Sequence, residues 1–386
     1  MKFSGISAIF VCTVLSILLA DCKSDNKDQV VFKKATLNSL TDILDSIRIV
    51  RLDLQDTILI GPYPLIMQKD SSFYIADRYR QYRIFRFSLS GQFMNTIGQS
   101  GNGPGEYSGN ITDVFIEDKD DDVYMLTSPA SIYRYSKNGK FKDRVRNDEF
   151  AALSFIKQDS IYWINSLEAE TGRPNLFKAD ARLKIIDTLY TTKSNLFNHN
   201  INPNSSHAFR KIADRIFFWN IPYPIVYELT TGDIQENISF HFKPSDYASS
   251  KDLELLDLRK LIRVRMPQMM TGHYRNSKYN ITEFGCFMGH KDNREIHVIY
   301  AIQNRKTEKW DWIDYKLPED AEKFWQHQFF DMSEEGILYC YFPGWKVLES
   351  YNKVKSIITN PEILESINED RDLFIFLCYL KLQYKH

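Results

Sequence analysis

The chain has 386 residues, of which 43% are hydrophobic and 14% aromatic, enough to bury a sizeable core in one large all-β domain or in two to three ordinary ones. Its 49 basic residues offset 50 acidic ones, and no long basic run occurs. A nucleic-acid-binding protein needs clustered positive charge, so that class of function is set aside.

Residues 1–22 read as a targeting segment outside the fold, with Lys2 as a short basic region and Ile6–Leu19 as an apolar stretch too short for a comfortable membrane span. The segment ends Leu19-Ala20-Asp21-Cys22, which resembles a bacterial lipobox, although Asp21 stands where a small residue is usual. The resemblance implies acylation of Cys22 and a membrane lipid anchor; the alternatives are plain secretion or an uncleaved anchor. Residues 23–44, opening on the charged run Lys23–Asp28, read as a tether, and the folded domain is expected over 45–386.

Ser46–Leu54 alternates apolar and polar residues and is predicted as a strand. A unit of four short strands follows: Pro64–Gln68, Phe73–Asp77, Arg83–Phe87 and Gln92–Ile97, with a turn at Ser88–Gly91. After it comes Ile97-Gly-Gln-Ser-Gly-Asn-Gly-Pro-Gly-Glu-Tyr107, a stretch too rich in glycine and proline for a helix or a central strand. It is predicted to be an ordered corner between two sheets, with Glu106 capping its backbone donors. The four-strand unit then recurs over Ile111–Glu117, Val123–Thr127, Ile132–Tyr135 and Lys140–Val145. Phe-Ser-Leu-Ser-Gly-Gln-Phe in the first unit and Tyr-Ser-Lys-Asn-Gly-Lys-Phe in the second occupy the same place, with glycine where a hairpin needs positive φ.

The corner resembles the Gly-x-Gly-Pro-Gly-Glu-Tyr linker of the six-bladed β-propeller lipoproteins of Gram-negative bacteria, relatives of NHL-repeat propellers. The likeness is sharp over Phe73–Tyr135 and rests on pattern alone elsewhere. It implies an all-β chain forming a single six-bladed propeller.

Later units are traced through their second strands: Ile161–Trp163, Ile216–Phe218, Ile296–Val298 and Leu338–Cys340. The long interval before Ile296 holds Ser250–Met266, whose apolar spacing and terminal Pro267 predict a helical insertion. Asn360–Asn368 carries a second helix signal, with Asn360 as cap and Pro361 in the first turn. Pairing the strand at 46–54 with the last one, Leu373–Leu382, would complete the sixth blade from both termini and remove two exposed edges.

In such a blade the loops between second and third strands share a face with the connections between blades. That face gathers the candidate binding residues Arg78, Tyr79, Arg80, Glu106, Tyr107, Arg173, Tyr223, Arg305 and Trp345, since function concentrates on long loops bearing aromatics and arginines. Each of them has an ordinary reading too, as a solvated or locally packed side chain. The corner lacks the Gly-Lys-Ser/Thr ending of a phosphate loop. The acidic turn Asp118–Asp122 lacks the Gly and Glu of a calcium loop, with Val123 and Pro129 in their places. Eight histidines show no metal spacing, and no cofactor or catalytic residue is assigned. The mature cysteines Cys286, Cys340 and Cys378 form no CxxC pair; Cys340 and Cys378 are expected in the core, and no spacing selects a disulfide.

The leading expectation is a non-catalytic envelope lipoprotein that presents one loop face to a glycan, a peptide or an outer-membrane protein partner. The alternative is a propeller enzyme, a lyase or hydrolase acting on carbohydrate or lactone substrates. A convergent His/Asp/Glu cluster would favour the second reading, and an aromatic, arginine-lined groove the first.

Overall fold

Residues 72–77 of the first blade are buried on both faces, and that doubled burial explains why the strands here read as apolar runs rather than clean alternations. In the computed structural model, Phe73 and Ile75 pack towards one neighbouring sheet while Tyr74 and Ala76 pack towards the other. Each hydrophobic cluster therefore sits between two sheets, and six sheets close a ring around an axis. The structure describes residues 28–32, 35–37, 42–61, 64–166, 176–190, 208–212, 214–219, 224–230, 234–241, 269–288, 295–317, 329–347 and 355–381.

Two strands precede the first blade, β1 (Asp28–Val31) and β2 (Leu44–Arg51). Blade 1 is β3 (Leu65–Lys69), β4 (Ser72–Asp77), β5 (Arg83–Ser88) and β6 (Phe93–Ile97). Blade 2 is β7 (Ile111–Ile116), β8 (Val123–Thr127), β9 (Ser131–Tyr135) and β10 (Phe141–Arg146). Blade 3 holds β11 (Ala152–Gln158), β12 (Ile161–Ser166), β13 (Leu176–Ala179) and β14 (Ile185–Tyr190). Blade 4 holds β15 (Phe209–Ile212), β16 (Arg215–Trp219), β17 (Ile225–Leu229) and β18 (Ile234–His241). Blade 5 holds β19 (Met269–Arg275), β20 (Tyr279–Met288), β21 (Glu295–Asn304) and β22 (Lys309–Leu317). Blade 6 is β23 (Phe329–Met332), β24 (Ile337–Pro343) and β25 (Leu373–Leu380), with β2 as its outermost strand.

The predicted closure is present. β2 pairs antiparallel with β25 from Leu44↔Leu380 to Arg51↔Phe374. Its outer edge is covered in turn. Ile358 bridges Ile47, and the Asn360 side chain both accepts from the Ile49 amide (2.9 Å) and donates to the Ile49 carbonyl (2.8 Å). Asn360 was expected to cap a helix; only a 3-10 turn, Pro361–Leu364, follows it, and the amide instead stands in for a strand partner. The hairpin glycine of blade 1 also serves the closure. Gly91 has φ +87°, and a Cβ there would lie 2.0 Å from the Arg51 carbonyl oxygen of the closing strand.

Two expectations need correction. The tether over 23–44 is not free throughout. β1 pairs in parallel with the outer edge of blade 4, Asp28↔Ile238 to Val31↔His241, and the amides of Thr36 and Leu37 donate to the Trp312 carbonyl on blade 5. The N-terminal segment is thus a belt around blades 4, 5 and 6. In blade 5, Ile296–Val298 belongs to the third strand, β21, because β20 supplies the second. The insertion predicted over 250–266 lies outside the described residues.

Connections β4–β5 and blade to blade lie on one side of the ring, here the loop face; the β3–β4 and β5–β6 turns and their equivalents lie on the other, the turn face. The first strands β3, β7, β11, β15, β19 and β23 surround the axis.

Candidate functional site

The loop face of blade 1 is shaped by a buried carboxylate. Asp77 ends β4, and its Oδ1 accepts the Gly61 amide at 3.0 Å and those of Tyr79 and Arg80 at 3.3 Å. Its Oδ2 accepts from Arg80 at 3.2 Å and from Gln81. A carboxylate receiving so many backbone donors replaces the strand ladder that the turn has given up. Gln81 then fastens the segment that leads into β3, accepting from the Leu59 amide (3.0 Å) and donating to the Thr57 carbonyl (2.9 Å). Tyr79 and Arg80 are left exposed at the rim.

Beside this rim opens a cavity of about 930 Å³. Met67, Val114, Ile156, Phe209, Tyr274 and Met332, one from the first strand of each blade, place it along the axis. Ile58, Leu59, Tyr341, Trp345 and Arg80 carry it to the loop face, at the seam between blades 6 and 1. Its walls mix apolar and aromatic side chains with charged ones, among them Arg210, Arg275 and Asp331. A hollow of this size that opens to the surface can admit a small ligand.

The turn-face end is crossed by struts from blade 4. The Arg210 guanidinium meets Asp331 of blade 6, also donates to the Met332 carbonyl (3.1 Å), and lies 5.7 Å from the centre of the Tyr274 ring. Asp331 is itself fixed at a bulge in β23, where Oδ1 accepts from the Met332 amide (2.8 Å) and Oδ2 from the Gln68 amide of blade 1 (3.1 Å). The next residue of blade 4, Lys211, reaches the other way, to Asp118 Oδ2 of blade 2 at 2.9 Å, while Lys69 of blade 1 takes Asp118 Oδ1 at 2.5 Å. Partial burial pushes the Asp118 carboxyl up, but the hydrogen bonds from Lys211 and Lys69 outweigh it and hold the group below its ordinary value. Asp113 of blade 2 repeats the bulge device, accepting the Phe155 amide of blade 3 at 2.9 Å.

One histidine lines the cavity among the described residues. His273 is fully buried, its Nδ1 2.9 Å from Thr282 Oγ1 and its ring edge-on to Trp219 at 5.8 Å. Burial, and then the charges of Arg275 and Arg210, push its pKa well below the ordinary value, so the ring is neutral near pH 7. It stands between blades 4 and 5 as a wall residue. Among the described residues, no three His, Cys, Asp or Glu side chains are grouped so as to hold a metal ion.

The predicted face divides on inspection. Tyr79, Arg80 and Trp345 stand on the loop face, and the last two line the cavity. Arg78 is half-buried, its guanidinium 5.5 Å from the Tyr79 ring centre; burial lowers its pKa, against the fields of Tyr79 and Asp113. Glu106 does cap the corner: its Oε2 accepts the Gly103 amide at 2.7 Å, and a Cβ at Gly101 would lie 2.0 Å from the same oxygen. Tyr107 is a peg and no surface residue, fully buried between blades 1 and 2, where it stacks edge-on to Tyr133 and donates to the Tyr82 carbonyl. Arg305 sits in the β21–β22 turn on the turn face, donating to the Asn276 carbonyl; the strand shift in blade 5 moves it there. Arg173 and Tyr223 lie outside the described residues.

Asp77, Gln81, Arg210, Lys211 and Asp331 were not foreseen. Of these Asp77 had a signal, an acidic residue ending a strand before a short loop. Gln81 is joined to the segment just before its own blade, and Arg210, Lys211 and Asp331 are joined to their partners only through the closed ring.

Residues 27–378 match the family described as Domain of unknown function (DUF4934). No curated protein matches the chain. Among solved structures, the chain is similar to a Bacteroides fragilis NCTC 9343 protein described as exported, at 17% identity and a TM-score of 0.70, over 92% of this chain and 99% of that one. The β-propeller domain of Cps50 (Swd1) from Myceliophteria thermophila is a remoter likeness, at 10% identity and a TM-score of 0.39, over 75% of this chain and 95% of that one.

Proposed function

The chain belongs to the DUF4934 family, and on that premise we propose that it is a non-catalytic binding protein of the cell envelope, anchored by lipid at Cys22. It holds a glycan, a peptide or an outer-membrane partner protein at the loop face, where the axial cavity opens. The observation that carries this reading is the cavity mouth itself. About 930 Å³ of space, walled by apolar, aromatic and charged side chains, opens beside an exposed arginine and tyrosine whose loop is held by Asp77. Aromatic and arginine anchors at the edge of a preformed hollow are what recognition sites use. The exported Bacteroides fragilis neighbour supports the envelope setting.

The test is a thermal-shift screen of the protein lacking residues 1–22 against glycan and peptide libraries, since a ligand that binds only the folded state raises its melting temperature. For any ligand found, Trp345→Ala and Arg80→Ala should each weaken binding about tenfold, an ordinary hot-spot loss. Asn138→Ala, on the turn face, should leave affinity unchanged. Equal losses from both faces, or turnover of the ligand, would overturn the reading.

A further inference from the structure

We infer that the axial cavity takes a small ligand by a carboxylate group, received by the unpartnered ring nitrogen of His273 between blades 4 and 5. The inference deepens the binding reading above and rests on it. The alternation of β19 prepares the site. His273 and Arg275 turn towards blade 4, where they meet Trp219 and Phe217, while Tyr274 joins the blade 6 cluster that holds Leu338 and Cys340. His273, Arg275, Trp219 and Tyr274 all line the cavity.

His273 is fully buried, and its Nε2 has no hydrogen-bond partner among the described residues. Native structures seldom leave such a nitrogen bare. The other ring nitrogen decides where the proton sits. Thr282, also buried, brings one hydroxyl hydrogen, and among the described residues its Oγ1 bonds only His273 Nδ1, at 2.9 Å. The arrangement that uses this hydrogen has Thr282 donating to Nδ1, which puts the proton of the neutral ring on Nε2. A buried N–H in the wall of a hollow needs an acceptor.

The surrounding charge selects among acceptors. Arg275 donates to Asn237 Oδ1 at 2.8 Å, and Arg210 comes across from β15 to the Tyr274 ring. The charges acting on the His273 ring are those two guanidinium groups. The carboxylates of the same lining are engaged elsewhere: Asp331 by Arg210, Asp118 by Lys69 and Lys211, and Asp372 by Arg51. Those that remain are exposed. An anionic acceptor is therefore favoured over a neutral carbonyl, and the hydrogen bond it accepts gains from its charge. Trp219 and Tyr274 give apolar faces for the body of the ligand. A sugar acid and a peptide C-terminus both carry the required group.

The experiment uses the full chain in detergent with nitrogen-15-labelled histidine. Long-range proton–nitrogen spectra should show His273 neutral near pH 7 with its proton on Nε2, its signal being the one lost in His273→Phe or His273→Gln. Glucuronic acid and acetyl-trialanine are then titrated, each beside an uncharged counterpart, the methyl ester and the amide; whichever acid binds tells a sugar acid from a peptide terminus. The bound acid should shift the Nε2 resonance and bind at least about tenfold more tightly than its counterpart. His273→Phe, which keeps a ring but no donor, should erase that preference, and His273→Gln, which keeps a donor, should retain part of it. If neither variant folds, the titration of the unsubstituted protein decides. Failure of both acids to bind, equal affinity for acid and counterpart, or a bound acid that leaves Nε2 unmoved overturns the carboxylate site. The binding proposal still stands in those cases if an uncharged ligand from the library screen binds and is weakened by Trp345→Ala. A screen that yields no ligand at all overturns both.

Discussion

Asp331→Ala should be the most damaging single change near the axis that removes no apolar surface. The carboxylate accepts from two backbone amides, Gln68 of blade 1 and Met332 of its own blade, and pairs with Arg210 of blade 4. Both side chains of the ion pair are only 17% exposed, so neither is well solvated once the other goes. Leaving two amides without an acceptor costs about 1–2 kcal/mol each, and stranding a largely buried guanidinium adds more, for a total of about 3–5 kcal/mol. With an unfolding entropy near 2.1 cal/mol/K per residue over about 350 residues, that loss lowers Tm by about 4–7 °C. Differential scanning calorimetry of the protein lacking residues 1–22 reads it directly. Asp331→Asn, which keeps an acceptor oxygen but not the charge, should lose about half as much. Arg210→Met combined with Asp331→Ala should be less harmful than the sum of the two, by about 1–3 kcal/mol. A fall in Tm below about 1 °C for Asp331→Ala, or strict additivity in the double variant, would refute the strut.

Three further outcomes are expected. Deleting residues 373–386 removes the partner of β2 and exposes two sheet edges, so the product should aggregate or lose cooperative unfolding in light scattering and calorimetry. Gly91→Ala should cost more than the ordinary 1 kcal/mol or so of a strained glycine position, because its Cβ would collide with the Arg51 carbonyl as well as holding φ +87°; urea denaturation measures this. Asp118, whose folded-state pKa is depressed, contributes stability that is present above its unfolded value of 3.8 and is lost as the pH falls through the lower folded value. Asp118→Asn should therefore flatten the acid limb of the Tm–pH curve below about pH 4 and leave its slope near neutrality unchanged.

Blades 1 and 2 were legible because their strands, turns and hairpin glycines repeat in phase, and the closure was legible because each end left one strand over. Blade 5 was misread for a physical reason. β20 is long and carries Gly285 and Cys286, and the β21–β22 turn has no glycine where the third-to-fourth-strand turns of blades 1 and 2 have Gly91 and Gly139. The next run, Ile296–Val298, looked like a second strand, and one strand of error moved Arg305 to the opposite face. Tyr107 was misplaced differently. A tyrosine after a Gly-rich loop reads as exposed, yet this one fills the gap between two blades, a contact that exists only once both are formed. β1 escaped notice because four residues, Asp-Gln-Val-Val, show no period at all. The axial struts join blades that are never neighbours along the chain, so no local pattern announces them.

The belt has a consequence for how the molecule is made. Among the described strands β1 and β2 are the first to leave the ribosome, yet their partners are Ile238–His241 and Phe374–Leu380, the second of these in the last described strand. Until that strand arrives, β2 has no ladder partner, and Ile47 and Ile49 lack the blade 6 half of their cluster, Phe374, Phe376 and Cys378 among it. Long-range pairing of this kind is slow, and an unpaired apolar strand invites the wrong partner meanwhile. β2 thus waits on β25, and a product cut short before β25, however many complete blades it contains, carries an unpaired strand by which quality control can recognise it.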